Sequence, residues 1–161
     1  MLKKPDIHES LQVGNINNFI ITMFSRVSEK CEYGEKIEAL SAEEQTLYFV
    51  RELEAQVGNG GFNQYFFNAG GNFAYETVDA LTVIGAKQTA EILKKAIDAF
   101  GCEIPKNWSD RQDLLIEKET DDEFGDILSD CDAEFHEYNE DLNDLNYRYI
   151  MKNKEQFDGM P

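Results

Sequence analysis

The chain has 161 residues, with 32 acidic against 15 basic side chains and a formal net charge of −17 at neutral pH. A chain of this length buries about 68–70% of its unfolded surface around one core, and 42% hydrophobic and 12% aromatic residues supply that core, which excludes a disordered acidic tail. The charge excludes sequence-independent binding to DNA or RNA and disfavours anionic membranes, since both rely on lysine and arginine, while the apolar run Phe19-Ile20-Ile21 falls far short of the roughly 20 residues of a spanning helix.

In chain order, Lys3 and Lys4 are followed by Pro5, Asp6, His8 and Glu9 instead of an apolar stretch, so the start does not read as a secretory signal. Phe19, Ile20, Met23, Phe24 and Val27 fall on one side of a first helix. After Gly34 the pair Ser41 and Glu44 forms a capping-box pattern. Leu47, Val50, Leu53 and Val57 then make an apolar stripe expected to stop at Gly58. Phe62 to Asn68 reads as a short aromatic helix ended by Gly70-Gly71, with Asn72 as the cap of a helix whose core face carries Val78, Leu81 and Ile84. A helix from Lys87 to Phe100 presents Ala90, Leu93, Ile97 and Phe100, and Ser109 opens a shorter one through Leu114 and Leu115. No segment alternates as strands do. The expectation is an all-α fold, a single compact multi-helix domain over residues 1–161. Cys31, Cys102 and Cys131, odd in number and irregularly spaced, read as free thiols of a cytoplasmic protein.

The acidic residues concentrate towards the C-terminus. Between Asp110 and Asp144 there are 15 acidic residues against only Arg111 and Lys118. Phe124, Ile127 or Leu128, Cys131, Phe135, Tyr138, Leu142, Leu145 and Tyr149 recur at steps of three and four, as the buried stripe of one long helix or two collinear ones requires. Asp122, Asp126, Asp130, Glu134, Glu137, Asp141 and Asp144 recur at the same steps on nearly the opposite side. On a continuous helix that row would extend about 33 Å with a carboxylate about every 5–6 Å. This compares with successive phosphates along one nucleic-acid strand, although duplex DNA carries about one charge per 1.7 Å of axis. Like charges so placed destabilise a helix. The row is therefore a candidate partner-binding surface, or else a solvated face that confers solubility.

The least generic segment runs from Glu54 to Gly71. Gly60 and Gly61 allow a sharp reversal, Phe62 and Phe66 can plug a core, and Gln64, Tyr65 and Asn68 carry hydrogen-bonding groups. These features read as a scaffold that ties the turn to its neighbours. An anion site at the start of the aromatic helix is the alternative, but the lysine and Ser/Thr of a phosphate-binding loop are absent.

The pattern Val57, Asn59-Gly60-Gly61-Phe62, Gln64-Tyr65-Phe66 and Asn68, followed by Ala80-Leu81, Ile84-Gly85-Ala86 and Ala90, resembles the DNA-mimic protein family typified by a protein of about nineteen kilodaltons. Asp132, Glu134-Phe135, Tyr138, Leu142 and Tyr149-Ile150 fit as well, so the resemblance covers about residues 41–157 and leaves an N-terminal helical extension of about residues 1–35 outside it. It implies an all-helical homodimer whose acidic surface imitates duplex DNA and, in the typified member, occupies the DNA-binding face of a transcription factor. The motif residues Asn59, Gly60, Gly61, Phe62, Gln64, Tyr65 and Asn68 look like scaffold, and the acidic row is chosen on spacing alone.

The resulting expectation is a non-enzymatic, cofactor-free regulatory protein that competes with DNA for a basic DNA-binding partner, with no direct contact to nucleic acid or membrane. An inhibitor or immunity-type protein for a nuclease or toxin uses the same chemistry. A metal-dependent helical enzyme is the reading from another class, since Asp132, His136 and Glu140 stand at i, i+4 and i+8. Dimetal bundles, however, need Glu-x-x-His pairs and carboxylates from further helices. No cysteine has a basic or histidine-containing context, and no nucleophile elbow is present.

Overall fold

The structure, a computed structural model, describes residues 15–160. His8, the rest of the start of the N-terminal extension, and Pro161 lie outside the described residues. Among those described, every regular element is helical, as expected. The α-helices are α1 (Ile16–Lys30), α2 (Ala42–Phe67), α3 (Ala74–Val83), α4 (Lys87–Asp98), α5 (Trp108–Lys118), α6 (Asp122–His136) and α7 (Leu142–Lys152). No helix among the described residues is long and apolar enough to cross a membrane.

The chain groups into two compact units. One comprises Met1–Tyr48 with Asp141–Pro161, of which residues 15–48 and 141–160 are described. Within it α1 packs against α7. Phe19, Ile20, Met23 and Val27 are buried, and Phe19 meets Tyr147 edge-on at 5.5 Å. The capping box forms as the spacing predicts. Glu44 N–H donates to Ser41 Oγ at 3.1 Å and Ser41 N–H donates to Glu44 Oε2 at 3.0 Å. Glu44 is almost fully buried and also accepts from Lys30 Nζ at 2.8 Å.

The other unit, Phe49–Glu140, holds the rest of α2 and all of α3 to α6, with α3 packed on α4 and α4 on α6. Its centre is a chain of edge-on aromatic contacts, Phe66 to Phe100 at 5.0 Å, Phe100 to Phe124 at 4.9 Å, and Phe62 to Phe135 at 5.9 Å. Ala90, Leu93, Ile97 and Phe100 are all buried, as the helical period requires.

Four local expectations need correction. The break in α2 falls at Gly60 and Gly61, not at Gly58, because Gly58 stays helical while Gly61 takes φ 74° and ψ −176°. Asn72 does not cap α3; its Oδ1 accepts from the Arg111 guanidinium at 2.7 Å instead. Asn107, not Ser109, caps α5, accepting from Asp110 N–H at 3.0 Å. The acidic C-terminal segment forms two helices, one of the two expected arrangements, but Tyr138 does not belong to its buried stripe: where α6 ends it takes φ 50° and is 40% exposed. Asp141 then caps α7 by accepting from Asp144 N–H at 3.0 Å.

Candidate functional site

Helix α6 begins at an aspartate cap, Asp121, whose Oδ1 accepts from Phe124 N–H at 3.2 Å, and two further acids in its first turn suit the positive end of the helix dipole. Phe124, Leu128, Cys131 and Phe135 are buried, which turns the helix so that Asp122, Asp126, Asp130 and Glu134 face outward. These four span about 18 Å at 1.5 Å per residue. Asp122, Asp126 and Asp130 are exposed and enter no ion pair among the described residues, whereas Glu134 accepts from Lys95 Nζ at 2.7 Å. That bond raises the Lys95 pKa above the ordinary lysine value.

The remaining members of the row stand on different backbone. Glu137 lies past the end of α6 and accepts from Asn139 Nδ2 at 3.1 Å. Together with Glu91, Ile92, Lys95 and Glu134 it lines an open groove of about 390 Å³ between α4 and α6. Asp141 is engaged as the α7 cap, and Asp144 is half-buried with its carboxylate 2.8 Å from the Arg148 guanidinium. The structure therefore brings four of the seven carboxylates onto one helix and places the other three elsewhere.

The central motif forms one hydrogen-bonded assembly. Asn59 Nδ2 donates to Gln64 Oε1 at 3.2 Å. Gln64 Nε2 and Asn68 Nδ2 both donate to Gln56 Oε1, at 2.9 and 2.8 Å, and Gln56 Nε2 donates to Glu52 at 3.0 Å. Tyr65 is fully buried, its hydroxyl 3.1 Å from Thr77 Oγ1, and burial pushes its phenol pKa well above the ordinary value. The turn itself is closed from α6: Phe62 N–H donates to Asp132 Oδ1 at 2.7 Å. A Cβ on Gly61 would stand 2.5 Å from the same carboxylate, so both the backbone angle and the close approach require glycine there.

A model of the DMP19-like protein family matches residues 38–153, well over half of the chain. The chain belongs to the DMP19-like protein family. This is a family of DNA mimics, and the match runs from just before the capping box, through the central motif, to the end of α7. No curated protein and no solved structure is matched by the chain.

Two residues inside this DMP19-like region, Arg111 and Glu140, tie together parts of the chain distant in sequence, in roles that their local spacing does not reveal. Arg111 is wholly buried and enters no ion pair among the described residues. Its guanidinium donates to the carbonyls of Phe66 (2.6 Å), Asn68 (2.9 Å), Pro105 (3.0 Å) and Lys106 (3.1 Å), and to Asn72 Oδ1. Burial lowers its pKa from the usual guanidinium value. Gly71 makes room for it, since a Cβ there would stand 2.8 Å from Arg111 Nε. The only signal in the sequence is an arginine isolated in an acidic stretch. The second residue, Glu140, stands at metal-ligand spacing in the sequence but serves another end. Its carboxylate accepts from the N–H groups of Gln88 (3.0 Å) and Thr89 (2.9 Å) and from Thr89 Oγ1 (2.7 Å), capping α4 from a distant part of the chain.

This arrangement corrects the metal-ligand reading. Asp132 and His136 share α6, with His136 Nδ1 2.6 Å from the Asp132 carbonyl, but Glu140 lies beyond the helix end. Among the described residues no three of His, Cys, Asp and Glu gather where they could hold a metal ion. Cys31 and Cys131 are buried and Cys102 is exposed, and burial pushes the Cys131 thiol up to about 11.

Proposed function

We propose that this protein is a non-enzymatic, cytoplasmic DNA mimic that occupies the DNA-binding face of a basic protein of the transcription-factor kind and keeps it from duplex DNA. The observation that carries this reading is the outward row Asp122, Asp126 and Asp130 on α6, exposed and in no ion pair among the described residues, in a chain of net charge −17 that belongs to a DNA-mimic family. Arginine and lysine side chains that ordinarily meet phosphates would meet these carboxylates. Complementary fields of this kind accelerate encounter and make affinity fall with salt. Glu134 and Glu137 extend the surface into the α4–α6 groove, where a partner guanidinium would compete with Lys95 for Glu134. A homodimer, with two such surfaces, belongs to the same reading and is measured by sedimentation equilibrium at physiological salt.

The test is capture from native lysate at low salt on immobilised protein, followed by elution with duplex DNA. Recovery of a basic DNA-binding protein that the duplex releases, and that the triple variant Asp122→Lys, Asp126→Lys, Asp130→Lys fails to capture, supports the reading. A bound protein that is indifferent to DNA, or equal capture by the variant, removes it.

A further inference from the structure

Helix α5 carries three different faces. Arg111 and Leu115 point into the core of their unit, and Asp110, Asp113 and Glu117 are exposed. Between these faces, at steps of about 100° per residue, lies a shoulder formed by Trp108, Gln112 and Ile116. Trp108 is 50% exposed and Ile116 57%, and Phe67, at the end of α2, whose carbonyl lies against Trp108 and Gln112, is 44% exposed. The shoulder is held in place: Trp108 Nε1–H donates to the Phe67 carbonyl at 2.8 Å, and Gln112 Nε2 donates to the same oxygen at 3.2 Å. An indole fixed by its own hydrogen bond, with its ring left in water, loses little conformational freedom when a partner covers it.

We infer that the Trp108–Ile116–Phe67 shoulder is a docking anchor for an apolar side chain on a basic protein surface. The occupant follows from charge. The shoulder is flanked on its outer side by Asp110, Asp113 and Glu117, none of which enters an ion pair among the described residues. A second copy of the chain would bring the same carboxylates against these, whereas a partner with arginine or lysine around an apolar residue satisfies both the ring and its acidic rim. Aromatic side chains that become buried at an interface carry much of its affinity. The inference rests on the proposed DNA-mimic reading and adds to it an aromatic contact beyond the phosphate-like charges of the carboxylates. It gives the partner a reason to distinguish this protein from other polyanions.

Trp108 is the only tryptophan in the chain, so its fluorescence reports on this shoulder alone. The probes are two synthetic peptides of equal positive charge, one an amphipathic helix with leucine along one face and arginine along the other, the second an oligolysine. The amphipathic peptide is expected to shift Trp108 emission to the blue and to shield it from acrylamide, and the oligolysine to do neither. By calorimetry, Trp108→Ala and Ile116→Ser should each weaken the amphipathic peptide about tenfold or more, while Val83→Ser, which removes an exposed apolar side chain on α3, should leave it unchanged. Equal responses to the two peptides, unchanged affinity in both shoulder variants, or an equal loss in Val83→Ser would overturn the inference. Failure of the shoulder variants alone, with the α6 charge reversals still abolishing capture, would leave the mimic reading standing.

Discussion

Asp132 and Phe62 are 70 positions apart, yet the carboxylate of the first accepts the backbone N–H of the second at 2.7 Å and so caps the aromatic turn of the central motif. An acid at the start of a helical turn satisfies a donor that has no intrahelical partner. It also separates Asp132 from the neighbouring exposed acids: its work is internal.

This distinction predicts opposite behaviour for acids on one helix. Asp132→Ala should destabilise the protein by about 1–2 kcal/mol, the usual loss for a side-chain cap. Gly61→Ala should cost on the order of 1–3 kcal/mol because it forces a side chain into a backbone region reserved for glycine. Urea denaturation monitored by circular dichroism measures both.

For Asp126 and Asp130, replacement by Asn should leave stability unchanged or raise it by a few tenths of a kcal/mol, because like charges at i, i+4 repel. The same pair of substitutions should weaken capture of the DNA-displaceable partner. A stability loss equal to that of Asp132→Ala would show that these carboxylates are part of the scaffold.

Arg111 should be the most sensitive charged position in the chain. Arg111→Met leaves the buried Phe66 carbonyl and three part-buried ones without this donor, and at about 1–3 kcal/mol for a buried unsatisfied group a loss on the order of 3 kcal/mol is expected. Arg111→Lys should rescue only part of it, because a lysine has three donors and no planar fork. Thermal unfolding of the two variants beside the parent checks the order.

Alkaline pH should loosen the fold. The unfolded Cys131 thiol loses its proton near about 9 and the folded one near about 11. Within that window the folded state binds more protons, so stability falls as pH rises. Lys30 acts in the same direction: its bonds to Asp158 and Glu44 raise its pKa, giving stabilisation that is present below the ordinary lysine value and lost as pH passes the folded one. Urea midpoints measured from about pH 8 to about pH 11 should decline, and less steeply in Cys131→Ala. At neutral pH a thiol reagent should modify the exposed Cys102 and spare buried Cys31 and Cys131, giving one adduct by intact mass.

Much of this was legible from local chemistry. The period of Phe19, Ile20, Met23 and Val27, the Ser41–Glu44 capping box, and the Ala90, Leu93, Ile97 stripe depend on contacts within a few residues, and each appears as the spacing predicts. The outward direction of Asp122, Asp126 and Asp130 follows in the same way once Phe124, Leu128 and Phe135 face inward. Other features depend on partners distant in sequence. Period alone could not place the break in α2 at Gly61, because Asp132 supplies the bond that closes the turn there. Nor could it reveal that Asn72 is drawn away from capping by Arg111, or that Glu140 serves the amides of α4. Amphipathic spacing and caps are properties of a single helix, set by 3.6 residues per turn and the unsatisfied groups at its ends. Which buried donor meets which acceptor is settled only when separate helices pack, since an unpaired polar group in the interior costs too much to leave and its partner can come from anywhere in the chain.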